Sequence, residues 1–186
     1  EFEDPEVHRV DLAGAVLYLK AGGVGEIRQF RWLEAPEEDS LQRAEHLLEM
    51  LGAVDATGSL TETGASMARY PLHPRAARLL EAAEEEGCVA EACFAAAVLQ
   101  AEGVFTRKAT RAQRAEFQEE DDRSDFEAEG RACEAAEVMR FDPVRCGELG
   151  IHARQARETL QAWKQLCSLV GRPSIRSGQV AMEELR

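Results

Sequence analysis

Helical periodicity cut into short lengths by glycine and proline constrains this chain more than any other feature. Apolar residues recur three and four apart, the spacing that puts them on one helix face. Each run then meets a breaker: Gly22-Gly23-Val24-Gly25, Gly52, Pro71, Gly87 and Gly171-Arg172-Pro173. Glycine ends helices in left-handed backbone, and proline cannot donate an interior helix hydrogen bond. The first run predicts a helix from about Val7 to Ala21, with Leu12, Val16, Leu19 and Lys20 at helical spacing. Pro36 followed by Glu37, Glu38 and Asp39 opens a second helix, because acids suit the positive end of the helix dipole. Its stripe is Leu41, Ala44, Leu47, Leu48 and Leu51. Val54 to Leu60 has apolar ends around an Asp/Gly turn and predicts a short hairpin. Thr61 caps a third helix carrying Met67 and Ala68. Helix, helix, small hairpin and helix before His73 is a winged-helix-like order.

The remainder reads as helix throughout. Pro74 suits a first helical turn, and residues 75–86 place Ala76, Leu79, Leu80 and Ala83 on one face. Val89 to Gln100 is nearly all apolar, so it is expected to be buried. Residues 101–124 change character. Arg107, Lys108, Arg111 and Arg114 come without an acid among them, and Glu116, Glu119, Glu120, Asp121 and Asp122 follow. An exposed, part-helical connection is expected there, with a phosphate-facing basic block as the alternative. Ser124 and Asp125 are placed to cap a helix reaching about Arg140. Asp142-Pro143 starts a short helix ending near Gly150, and the longest runs from about His152 to Val170 with Ala156, Leu160, Trp163 and Leu166 recurring. A last helical segment begins near Ser177 and is still running at Arg186, so the chain is expected to be a piece of a longer protein.

Composition narrows what such helices can do. Of the 186 residues 45% are hydrophobic but only 6% aromatic, so the core must be built from Ala, Leu and Val. The formal charge of −13 leaves few cations for phosphates, so any strand binding must use a local patch and is expected to be weak in isolation. No apolar run approaches the roughly 18 residues that span a bilayer, and no leader pattern opens the chain. A cytoplasmic protein with no membrane partner is expected. Cys88, Cys93, Cys133, Cys146 and Cys167 contain no Cys-x-x-Cys pair and read as packed, reduced thiols. The four histidines do not complete a zinc-ligand spacing with them. Glu26-Ile27 follows the glycine cluster where a phosphate loop needs Lys-Ser/Thr. Nucleophile-elbow, His-Glu-x-x-His and Asp-Glu-Ala-His sequences are not found, so no catalytic residue, metal ligand or cofactor site is expected in these residues.

The wording of the chain then becomes informative. Pro5-Glu6-Val7-His8-Arg9, Leu12-Ala13 and Val16-Leu17-Tyr18-Leu19-Lys20 resemble the start of the winged-helix domain of DEAH-box ATP-dependent helicases. Phe30 to Pro36 resembles that family's Phe-x-Phe-Leu-x-x-Pro segment, and Ala44 to Gly64 its Leu-Gly-Ala-Leu-Asp-x-x-Gly-x-Leu-Thr-x-x-Gly pattern. Met67-Ala68-Arg69-Tyr70-Pro71-Leu72-His73-Pro74-Arg75 resembles Met-Ala-x-x-Pro-Leu-Asp-Pro-Arg, with His73 departing from the usual Asp and expected to weaken the cap there. Arg123-Ser124-Asp125-Phe126 sits where the family has Gly/Ser-Asp-His-Leu. Arg154 and Arg157 fall on the arginines of an Asn-Tyr-Arg-Ser-Leu-x-Arg-like segment, and Met182 to Arg186 resembles the opening of a final helix. The Arg-Ser-Asp-Phe and Gly-Ile-His-Ala wording is most similar to the bacterial HrpB-like branch.

The resemblance implies a mainly α fold. A winged-helix domain would cover 1–72, followed by a helical ratchet domain (the helicase-associated HA2 region) over 73–186, truncated at its C-terminal end. It implies an accessory role: to form part of the nucleic-acid channel of an ATP-dependent RNA or DNA helicase and to couple motor closure to strand movement. ATP and Mg²⁺ would belong to RecA-like motor domains of the same protein, and these residues would not hydrolyse ATP alone. The implied partners are single-stranded nucleic acid, RNA before DNA, and those motor domains. Arg123, Arg154 and Arg157 are the implied strand contacts, although Arg123 has acids around it with which to pair. Trp163 reads as core. Two other classes compete, a helical protein–protein scaffold and a standalone winged-helix regulator. The regulator needs a basic recognition helix, and Ser40 to Leu51 carries one arginine against two glutamates.

Overall fold

The computed structural model describes residues 11–171, and these divide among two compact units, Glu1–Glu85 and Glu86–Arg186. Nine α-helices, one 3₁₀ turn and two isolated β-bridges make up the regular structure of the described residues. The mainly helical reading therefore holds.

In the first unit, helix α1 is Ala13–Ala21. It starts where Asp11 Oδ1 accepts the Ala13 N–H at 2.8 Å. The expected start at Val7 lies outside the described residues. Leu12, Ala13, Val16 and Leu17 are buried. Lys20 is buried with them because its Nζ donates to the carbonyls of Gly58 at 2.6 Å and Gly25 at 3.3 Å. The glycine cluster ends α1, with Gly23 at φ +92°. Helix α2, Glu38–Met50, buries Leu41, Ala44, Leu47 and Leu48 against α1. The predicted hairpin is present as one antiparallel bridge, Val54 to Leu60, whose turn is held by Asp55 Oδ1 accepting the N–H groups of Thr57 and Ser59. Thr61 caps α3, Glu62–Met67: its Oγ1 accepts the Gly64 N–H at 3.0 Å and donates to Gly52 O at 2.6 Å.

Helix α4, Pro74–Glu86, corrects the expected face. Pro74, Ala77, Leu80 and Ala83 are buried, Leu79 is exposed and Ala76 is only partly covered. The stripe advances by threes from the proline, one residue out of step with the sequence reading at Ala76. Contacts to α3 and its tail hold α4 in the first unit: Ser66 Oγ donates to Glu81 at 2.6 Å and the Tyr70 hydroxyl to Glu84 at 3.0 Å. Burial and that carboxylate push the Tyr70 phenol up to about 12. At His73 the cap is a single long hydrogen bond, in keeping with the expected weakening. The His73 Nδ1 accepts the Arg75 N–H at 3.3 Å, and its Nε2 lies 3.1 Å from Asp11 Oδ2.

The second unit is a small bundle. Helices α5 (Val89–Gln100), α6 (Arg111–Ala115), α7 (Asp125–Val138), α8 (Pro143–Glu148) and α9 (Ala153–Leu169) follow in order. Helix α9 packs on α5 and α7. Trp163 is core, as its spacing indicates: it is 2% exposed, donates from Nε1 to Ala90 O at 3.0 Å and meets Phe94 edge-on at 5.7 Å. Small residues fill the rest of the seams, among them Ala92, Ala97, Ala132, Ala136, Cys93, Cys133 and Cys167. Cys146 is buried as well, whereas Cys88 is half-buried at the start of α5. Burial pushes the Cys133 thiol up.

Two expectations for this unit change. The 101–124 connection is tied down: Val104, Phe105 and Phe117 are buried, and Phe105 packs on Phe117 at 5.7 Å. Ser124 stands at the α7 N-cap without a side-chain hydrogen bond, and α7 stops at Val138 instead of reaching Arg140. It stops because Arg140 and Phe141 turn left-handed, at φ +54° and +57°. Asp142 then caps α8 as expected, accepting the N–H groups of Val144 at 3.0 Å and Arg145 at 2.9 Å.

Candidate nucleic-acid interface

Helix α9 presents Arg154 and Arg157 opposite its core stripe of Ala156, Leu160, Trp163 and Leu166. Residues three apart share a helix face, so both arginines project from the first turns of the longest helix. His152 caps that helix, its Nδ1 accepting the Gln155 N–H at 3.3 Å. The Arg154 Nε donates to Glu158 Oε1 at 2.7 Å. An ion pair this exposed, with the Arg154 side chain 81% accessible, is weak and exchanges readily for a phosphate. The Arg157 guanidinium lies over the ring of Phe141, 4.9 Å from its centre.

A second set of cations arrives at the same turn from elsewhere in the chain. Phe105 bridges Ile151, with the Thr106 N–H donating to Gly150 O and the His152 N–H to Val104 O, both at 2.8 Å. Gln113 completes a capping box with Thr110 at α6 and donates from Nε2 to Glu148 O at 2.8 Å. Arg114 stacks over Phe105 at 4.9 Å. The exposed Arg107, Lys108, Arg111 and Arg114 are thus anchored to residues 148–152, the lead-in to α9. The basic block, in which Arg107 lies 4.0 Å from Glu102, is thereby held beside the head of α9, giving an acidic chain a local cluster of cations.

Arg123 is placed differently. Its backbone N–H donates to Glu127 Oε1 at 3.1 Å, ahead of the first turn of α7. Arg157 lies beside Phe141, just past the other end of that helix. At about 1.5 Å per residue the 14 residues of α7 put roughly 20 Å between them. The side chain of Arg123 makes no ion pair with another described residue. Arg131 takes that role, bridging Asp122 and reaching Glu119 at 3.8 Å while its Nε donates to Phe117 O at 2.7 Å. That guanidinium holds the Asp122 carboxyl below the usual carboxylate range. The structure therefore brings Arg154 and Arg157 together with the basic block and leaves Arg123 apart. Phe141 joins the site without any local sequence pattern to mark it.

Residues 44–72 match the winged-helix part of the helicase associated domain (HA2), and residues 73–138 match its ratchet-like part. This chain carries a helicase-associated HA2 region. The first matched segment covers α2 from Ala44 onward, the wing bridge and α3. The second covers α4 to α7, although α4 packs with the first compact unit. Over 104 residues, 53% of this chain, it is 39% identical to the ATP-dependent RNA helicase HrpA of Escherichia coli (strain K12). The match spans 8% of that relative's length. Helix α9 and its two arginines lie C-terminal to the residues matched as ratchet-like. No helix of the described residues is long and apolar enough to cross a membrane.

Proposed function

We propose that this HA2 region lines part of the single-strand channel of a cytoplasmic ATP-dependent helicase and couples motor closure to strand movement. The observation that carries the reading is the cationic end of the second unit, where a basic block remote in sequence is fastened to the head of α9 beside Arg154 and Arg157. Arginines on a rigid helix hold phosphates in a fixed register, and backbone contact without base reading suits a translocating strand. RecA-like domains would bind ATP and Mg²⁺ and supply the remaining positive field. RNA is the favoured strand because the relative of known activity is an RNA helicase. The HrpB-like wording at Arg123 to Phe126 and Gly150 to Ala153 favours that bacterial branch. Arg123, being apart, is assigned a separate and secondary contact.

The test is the salt dependence of binding to oligouridylate by the chain and by an Arg154→Ala/Arg157→Ala variant. Removing one phosphate-binding arginine should flatten the log–log slope by about 0.7. The variant is expected to bind more weakly and with a shallower slope. Unchanged affinity and slope would remove α9 from the channel. ATP turnover by the chain itself would contradict the accessory role.

A further inference from the structure

The turn between α7 and α8 holds an unusual feature that strand positioning alone does not require. Arg140 and Phe141 are consecutive non-glycine residues in left-handed backbone, at φ +54° and +57°. Left-handed backbone crowds the β-carbon of any L-residue, and it persists only where surrounding structure enforces it. The enforcement is visible: the Arg140 N–H donates to Glu137 O at 2.9 Å and the Phe141 N–H to Ala136 O at 2.8 Å. The consequence is that Phe141 lies under the guanidinium of Arg157. Phe141 is half-buried and Arg157 exposed, so the ring backs a guanidinium that stays open to solvent.

The acids around this stack are engaged elsewhere. The Asp142 carboxylate accepts the N–H groups of Val144 and Arg145 at the head of α8. Glu158 is held by Arg154, and Glu137 meets Lys164 at 3.7 Å. Arg157 forms no ion pair with another described residue. A phosphate or carboxylate would take the edge of the guanidinium and needs no ring behind it. A flat, backed guanidinium face beside further cations suits a π-surface attached to phosphates.

We propose that the Arg157–Phe141 stack is a nucleobase platform. An unpaired base lies on the outer face of the Arg157 guanidinium, while the adjoining phosphates are held by Arg154 and the basic block. The inference rests on the strand-binding reading above and adds to it that the bases themselves are gripped. Stacking of this kind is tolerant of sequence because every base has a π-face, so it is compatible with a strand that moves through.

The experiment compares binding of the chain to a short oligoadenylate and to an abasic strand with the same number of phosphates, by fluorescence anisotropy. The base-bearing strand should bind roughly 5- to 150-fold more tightly, the range of one stacked base. Arg157→Lys keeps the charge and loses the plane. Phe141→Leu keeps the apolar backing and loses the ring. Both should bring the affinity for the oligoadenylate down to that for the abasic strand and melt at the wild-type temperature. Equal affinity of the wild type for the two strands would overturn the platform and leave the channel reading standing, as would a base preference retained by Arg157→Lys. Failure of both strands to bind even at low salt, where a weak phosphate contact is strongest, would overturn the channel reading and the platform with it.

Discussion

Replacing Gly64 with alanine should destabilise the first unit, against the usual sign for a helix interior. Alanine is better than glycine inside a helix by about 1 kcal/mol. In α3, however, a β-carbon on Gly64 would lie 2.0 Å from Ala53 O and 2.8 Å from both the Ala53 carbonyl carbon and Leu60 Cδ1. Carbon contacts relax near 3.5–4.0 Å, so the backbone of Ala53 must retreat by about 1 Å or more. That backbone also accepts the Thr61 N–H at 3.0 Å, one residue before the bridge at Val54. Overpacking typically costs about 1–3 kcal/mol, and a weakened hydrogen bond adds about 1 kcal/mol. Net of propensity, the loss is about 1–3 kcal/mol. For a unit this small, each kcal/mol moves Tm by about 4–8 °C, so the transition of the first unit in calorimetry should fall by at least about 4 °C. Gly130→Ala is the control. Its β-carbon would meet only Phe94, at 3.7 Å, and α7 should gain up to about 1 kcal/mol. A Gly64→Ala protein with an unchanged or raised Tm would refute the close approach of α3 to the wing.

Two further outcomes follow from buried polar groups. Lys20→Met keeps the stem but removes the donor to Gly58 O and Gly25 O. It should cost about 1–3 kcal/mol for the stranded carbonyls, seen as faster amide exchange across residues 55–60 and a lower Tm. Burial raises the Glu129 carboxyl on α7, and the Val104 N–H donated to it at 2.6 Å together with the nearby Arg114 only partly offset this. A raised carboxyl binds its proton more tightly in the folded state than in the unfolded one. Its charge therefore works against the second unit at neutral pH, and stability is recovered as pH falls through the folded value toward the lower unfolded one. Glu129→Gln, which keeps an acceptor for Val104, should raise stability at neutral pH and flatten this part of the pH profile. A steeper acid gain in the variant would contradict the assignment.

Features encoded within a few residues are legible in the sequence. The glycine cluster after Ala21, the Val54 to Leu60 hairpin, the Thr61 and Asp142 caps and the core position of Trp163 all depend on local chemistry, and all are present. Lys20 shares the spacing of its apolar neighbours and is indeed buried, although only the fold shows the carbonyls that make this tolerable. Contacts between distant segments are what the sequence hides. Nothing near Arg107 announces that Phe105 will bridge Ile151. Arg123 stands nearer in sequence to Asp122 than Arg131 does, yet a helical turn of α7 aims Arg131 at it. The left-handed turn at Arg140 and Phe141 carries no glycine to betray it, so both the end of α7 and the Arg157 stack stay hidden. The helix expected from Ser177 onward lies outside the described residues.

The most direct test of the strand-binding account is photo-crosslinking of a 4-thiouridine-substituted single strand to the chain, with adducts located by mass spectrometry. Adducts are expected in peptides containing residues 105–114 and 141–157, diminished by Arg154→Ala/Arg157→Ala. Adducts confined to the first unit, or a yield indifferent to those arginines, would contradict a channel wall at the head of α9.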